Sequence, residues 1–168
     1  SYKKEFINCG VSVYEVKSSR TILAMPKIKK IVKKLINKKN KNIFLSNIYY
    51  SNVLSILFLR SLDVKIILIE RTPFQELSIY YNFIDFIKKN IIKFLIKHTY
   101  FKADICISNS RYISKAYNNC YNLKFKTIYP PSFIKLNNFN QKKSTQTNIC
   151  IGTVCRLSKE KRVENLIK

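Results

Sequence analysis

Short apolar runs rich in β-branched residues alternate along this chain with longer segments whose apolar residues recur every three or four positions. That alternation restricts the fold more than any composition figure, because each change of period marks a change between strand and helix. Val11–Val16 is a β-rich run after Gly10. Pro26 opens a basic helical segment over 27–39, with Ile28, Ile31, Val32, Leu35 and Ile36 on one face and lysines opposite. Asn42–Ser46 reads as a strand, Asn52–Ser61 as an apolar helix, and Val64–Ile69 as a strand buried on both faces of a parallel sheet. Thr72, Pro73 and Gln75 form a capping box for the next helix. Residues 83–97 are a second basic amphipathic stretch, with Ile84, Ile87, Ile91, Phe94 and Leu95 sharing a face. A strand at Asp104–Ser108, a helix capped by Ser110 and a strand at Phe125–Tyr129 complete the series. Repeated βα units of this kind give an α/β fold, a Rossmann-like parallel sheet flanked by helices.

Polar residues then take over, and a further strand–turn–helix follows. The expected organisation is a domain over 1–134, a linker over 135–147 and the first βα unit of a second Rossmann-like domain over 148–168. The first domain reads as starting near its second strand, and the second as cut short, because a lone βα unit cannot bury its own faces. The apolar fraction, 46%, is enough for a core. With two glycines, Gly10 and Gly152, neither common Gly-rich phosphate loop can form. The net charge of +23 fits anionic partners, or compositional drift toward Lys, Asn and Ile. Cys9, Cys106, Cys120, Cys150 and Cys155 show no metal spacing and read as small buried hydrophobes in a reducing compartment. No apolar run reaches the roughly 18 residues of a spanning helix.

The segment from Ile151 to Lys168 carries the clearest chemistry. A strand delivers Arg156, and the helix start that follows presents Lys161, two cations beside free helix N–H groups. Such a pair can hold a diphosphate, or be ordinary solvated charges on a βα turn. Arg156, Leu157, Glu160 and Lys161 resemble the G-R-L-x-x-E-K-G element that opens the donor domain of GT-B glycosyltransferases of family 4. Cys155 stands at its first Gly and Arg162 at its last. Two other segments resemble the family in the right order: Ala103-Asp-Ile-Cys-Ile-Ser-Asn-Ser-Arg-Tyr112 and Thr127-Ile-Tyr-Pro-Pro131. The resemblance implies that 1–134 is the acceptor-side GT-B domain, that Arg156 and Lys161 bind the donor diphosphate, and that Ser110 and Gly152 line the cleft. Ser110 is also a plain N-cap candidate.

After the Val64–Ile69 strand, many members of that family place a histidine, whereas others read S-E-R. Glu70 and Arg71 are therefore the catalytic candidates, Glu70 orienting an acceptor hydroxyl and Arg71 meeting a sugar or phosphate oxygen. They also read as an ion pair beside a helix start. The single histidine, His98, falls at a helix end and reads as a surface or C-cap residue rather than the catalytic one.

The activity this resemblance implies is retaining transfer of a sugar from a nucleotide-sugar donor to a glycan or lipid-linked acceptor in surface-polysaccharide synthesis. No cofactor and no metal are expected, and 168 residues alone are expected to be inactive. The expected place is the cytoplasm, with the basic helices at 27–39 and 83–97 resting on an anionic membrane face. Two alternatives stay open. One is an inactive paralogue or gene fragment, because the family's Gly-rich turn and cleft histidine have no match. The other is a basic nucleic-acid-binding protein, against which no nucleic-acid motif is present.

Overall fold

Four of the apolar runs become strands and pair in a single sheet. The computed structural model describes residues 2–130. Their order is α1 (Tyr2–Asn8), α2 (Thr21–Leu35), β1 (Ile43–Asn47), α3 (Tyr49–Leu59), β2 (Lys65–Glu70), α4 (Phe83–Thr99), β3 (Ile105–Ser108), α5 (Arg111–Tyr121) and β4 (Phe125–Thr127), with 3-10 turns at Phe74–Ser78 and Tyr100–Lys102. All pairings are parallel and the strand order is β1-β2-β3-β4. A parallel neighbour needs a crossover, and α3, α4 and α5 supply the three. This is an α/β fold of Rossmann-like type, a parallel sheet flanked by helices. The expected linker (135–147) and second βα unit (148–168) lie outside the described residues, as do Cys150 and Cys155.

The register aligns Ser46, Leu68, Cys106 and Phe125 in one row. That row is buried, and the core cluster forms on its side of the sheet from Met25, Val53, Ile56, Leu59, Ile96 and Tyr117, among others. Each such aliphatic side chain, fully buried, stabilises the fold by about 1.5–3 kcal/mol. The row on the opposite face, Leu45, Ile67 and Ile105, takes no part in that cluster. So β2 is not buried on both faces as expected. Its burial alternates, with Ile66, Leu68 and Glu70 inside while Ile67 and Ile69 are half-buried.

Caps follow residue chemistry where they form. The Asn82 side chain accepts from Asp85 N at 2.7 Å, and the Asp85 carboxylate accepts from Tyr81 N at 3.2 Å, closing the start of α4. Ser110 Oγ accepts from Ile113 N at 3.3 Å and starts α5 as expected. Asn122, left-handed at φ 52°, ends it. Gly10, at φ 78°, terminates α1, with Val11 N donating to Phe6 O at 3.0 Å.

Several expectations fail for local reasons. Val11–Val16 forms no strand, because no ladder partner reaches it among the described residues, and Val11, Val13 and Tyr14 stay exposed. Pro26 does not open α2 but sits inside it, since Ala24 and Met25 are buried one turn ahead of the lysines. The helix then stops at Leu35, where Asn42 bridges both backbone groups of Asn37. Thr72 caps nothing: Pro73 is extended and only a 3-10 turn follows. Cys106 is buried, but Cys9 and Cys120 are exposed. Of the apolar face read on α4, Leu95 packs against the core while Ile84, Ile87, Ile91 and Phe94 are exposed; Lys89, Ile92, Ile96 and Thr99 are the buried residues of the helix.

Candidate functional site

In an open parallel sheet the chemistry gathers where the strands end, because loops leaving the carboxyl edge present side chains together on a rigid support. Here β1 leads into Ile48, β2 into Glu70 and Arg71, and β3 into Asn109 and Ser110. The register sets Glu70 beside Ser108, and Asn109 N donates to Glu70 O at 3.2 Å. Three expected site residues, Glu70, Arg71 and Ser110, therefore come together on two adjacent strand ends. Arg156, Lys161 and Gly152 lie outside the described residues.

Glu70 faces inward. Its side chain is on the same face as Leu68, and its exposure is 0%. Asn52 Nδ2 donates to its Oε1 at 2.7 Å and to Ile69 O at 3.1 Å, and the Tyr100 hydroxyl donates to the same Oε1. Glu70 Oε2 is buried without a partner among the described residues, like Asn52 Oδ1, Asn109 Oδ1 and the Tyr117 hydroxyl. Burial pushes the Glu70 carboxyl up to about 7, against the lowering influence of its bonds from Tyr100 and Asn52. With both donors on Oε1, a proton on this carboxyl belongs on Oε2. Burial, and then the neighbouring Glu70, also hold the Tyr100 hydroxyl well above its ordinary value.

Arg71 is exposed and does not pair with Glu70; the ion pairs among the described residues are Lys3–Glu15 and Lys89–Asp85. Among the described residues its guanidinium has no partner, and it is exposed at the edge, where an anionic or hydroxyl-rich ligand can reach it. Ser110 is half-buried and its Oγ is engaged as the α5 cap. Ser108 Oγ donates to Ser110 O at 3.0 Å, and Ser114 shares a 2.9 Å bond with Thr127, so the β3 end is stiffened from both sides. Behind β1, Ser55 Oγ donates to Ser46 Oγ at 3.0 Å. Ile48, between β1 and α3, has φ 73° and ψ 137°. A β-branched residue there is strained by about 1–3 kcal/mol. It is held by Ile48 N donating to Ile69 O at 3.1 Å and Asn52 N donating to Ile48 O at 2.9 Å.

The described cavities lie elsewhere. One of about 530 Å³ sits between α2, α3 and α4, and one of about 400 Å³ at the amino ends of β3 and β4. Among the described residues no three His, Cys, Asp or Glu side chains gather as a metal site.

No family model matches the chain, and no curated protein does. What bears on function is therefore the geometry of this sheet edge: the exposed cations Arg71 and Arg111, the sealed Glu70 carboxyl and the strained turn at Ile48. Sequence reasoning singled out Glu70 and Arg71 from the resemblance to family members that read S-E-R after this strand. It missed Asn52 and Tyr100, which decide which way Glu70 points. The available signal was an amide, Asn52, directly ahead of the largely apolar helical run Val53–Leu59, since such a group, if buried, must find a polar partner. His98 is exposed in the last turn of α4, its ring 4.3 Å from that of Phe94.

Proposed function

We propose that this chain is the acceptor-side part, with the opening of the donor-side part, of a retaining glycosyltransferase that takes its sugar from a nucleotide-sugar donor. One observation carries the reading. The motif segments 103–112, 127–131 and 151–168 follow in the family's order along a chain whose first part is a Rossmann-like parallel sheet.

In this reading the acceptor hydroxyl attacks the anomeric carbon while Arg156 and Lys161 stabilise the departing nucleoside diphosphate. An Arg fork and a Lys point charge suit a leaving group that gains negative charge in the transition state. Cys155 replaces a glycine, so those cations take more of the diphosphate contact than backbone N–H groups do. Arg71 meets a sugar or phosphate oxygen at the carboxyl edge. Glu70 is a positioning residue: its carboxyl ties β2 to Asn52 of α3 and to Tyr100, and its backbone oxygen fixes Asn109. The nucleotide sugar is a substrate and no metal or cofactor is invoked. The acceptor is a glycan or a lipid-linked oligosaccharide of surface-polysaccharide synthesis, reached from the cytoplasmic side of a membrane.

The test uses the complete polypeptide with a panel of nucleotide sugars, reading release of nucleoside diphosphate. Neutralising both cations, Arg156→Ala with Lys161→Ala, should lower kcat/KM by at least about 100-fold. Unchanged turnover in that double variant would refute the assignment. Tight, salt-sensitive nucleic-acid binding without donor turnover would replace it with the nucleic-acid reading.

A further inference from the structure

Helix α4 buries one face and leaves a second, apolar one uncovered among the described residues. Lys89, Ile92, Ile96 and Thr99 are buried against the core. Phe83, Ile84, Ile87, Ile91 and Phe94 stand exposed at 74, 63, 42, 53 and 62%. At 100° per residue the second set centres roughly 150° away from the first, so it points outward along the whole helix. Lys88 and Lys97 lie about 90° to either side of this stripe. Both are exposed and neither joins an ion pair among the described residues. The one acid on the helix, Asp85, turns toward the core and pairs with Lys89 at 3.0 Å. Just before the helix, Tyr80 and Tyr81 are also exposed.

We infer that the outward face of α4 is a membrane-binding surface, seated on anionic lipid with its apolar stripe in the acyl boundary and Lys88 and Lys97 at the phosphates. An apolar stripe bordered on both sides by cations is what an interfacial helix needs: the stripe is desolvated while long lysine stems reach up to the headgroups. A protein partner would need acidic groups on both flanks and an apolar ridge between them, whereas an anionic bilayer offers both everywhere. The net charge of +23 adds a long-range pull toward such a surface. At 17 residues α4 is about 25 Å long and lies in the plane, since no helix of the described residues is long and apolar enough to cross. This deepens the expectation of an anionic membrane partner and replaces lysine faces on two helices with one apolar face. It does not depend on sugar transfer.

The whole chain is mixed with vesicles of neutral lipid and of neutral plus anionic lipid, without donor or acceptor, so failure here leaves the transferase reading untouched. Ile87→Ser with Ile91→Ser, a change at constant charge, should lower the partition coefficient at least about tenfold. Ile22→Ser with Leu23→Ser, equally exposed on α2, should change it less than about twofold. The chain has no tryptophan, so Phe94→Trp is a single reporter. Its emission should shift to the blue on anionic vesicles and be quenched by lipids brominated near the headgroup. Equal loss in both serine pairs, a reporter that stays solvent-quenched, or a stripe variant that dissolves a dimer while vesicle binding persists would each overturn the assignment.

Discussion

Replacing Glu70 with glutamine should change how the stability of this protein depends on pH. Burial raises the folded-state carboxyl from its ordinary 4.5 to about 7, which corresponds to roughly 3 kcal/mol of folding free energy. Between those values the folded chain keeps a proton that the unfolded chain has released. Stability from this group is therefore fully present below pH 4.5, falls as pH rises through the window, and is lost above the folded value of about 7. Glu70→Gln keeps an acceptor for Asn52 and Tyr100 and cannot ionise. Urea unfolding of both proteins, followed by circular dichroism at several pH values from 4.5 to 8.5, isolates the group as a difference. The variant should gain on the wild type by roughly 3 kcal/mol across that range and be the more stable of the two at the alkaline end. A difference that stays constant with pH, or that shrinks as pH rises, would show that Glu70 is ionised in the fold and that the burial argument is wrong.

Three further outcomes are expected. Ser110→Ala should lower stability by about 1 kcal/mol and Ser110→Gly by a few tenths, because only the first replaces the cap with a residue unsuited to that position; equal losses in chemical denaturation would argue against capping. Ile48→Gly should stabilise by about 1 kcal/mol, since release of the positive-φ strain outweighs loss of a half-exposed side chain; a clear decrease in melting temperature would count against strain there. In maleimide labelling read by peptide mass mapping, Cys9 and Cys120 should react in the native state while Cys106, buried and with its thiol pushed up to about 12, reacts only as the chain opens; labelling of all three at one rate would contradict the packing of β3.

The parallel sheet was legible because its signals are local. The runs at 64–69 and 104–108 are too short and too β-branched for helices, and Ser110 before a helical period is an N-cap by its own chemistry. Local signals also misled. Thr72-Pro73-Gln75 has the composition of a capping box, yet the chain after β2 stays a 3-10 turn, its Leu77 buried in the core and no cap bond formed. Pro26 resembles a helix opener, yet burying Ala24 and Met25 extends α2 one turn before it. In α4 both faces are apolar at helical spacing, so periodicity could not choose between them.

Glu70 shows the same division at the candidate site. Its position after an apolar strand put it at the carboxyl edge, a property of chain order and strand period alone. Whether its carboxyl faced solvent or the interior depended on Asn52, 18 positions away, and Tyr100, 30 positions away. Element type, order and the local cap were thus written in neighbouring residues, where backbone sterics and short-range hydrogen bonds act. Sidedness and protonation waited on the folded chain, because burial and desolvation come from residues distant in sequence that only packing brings together.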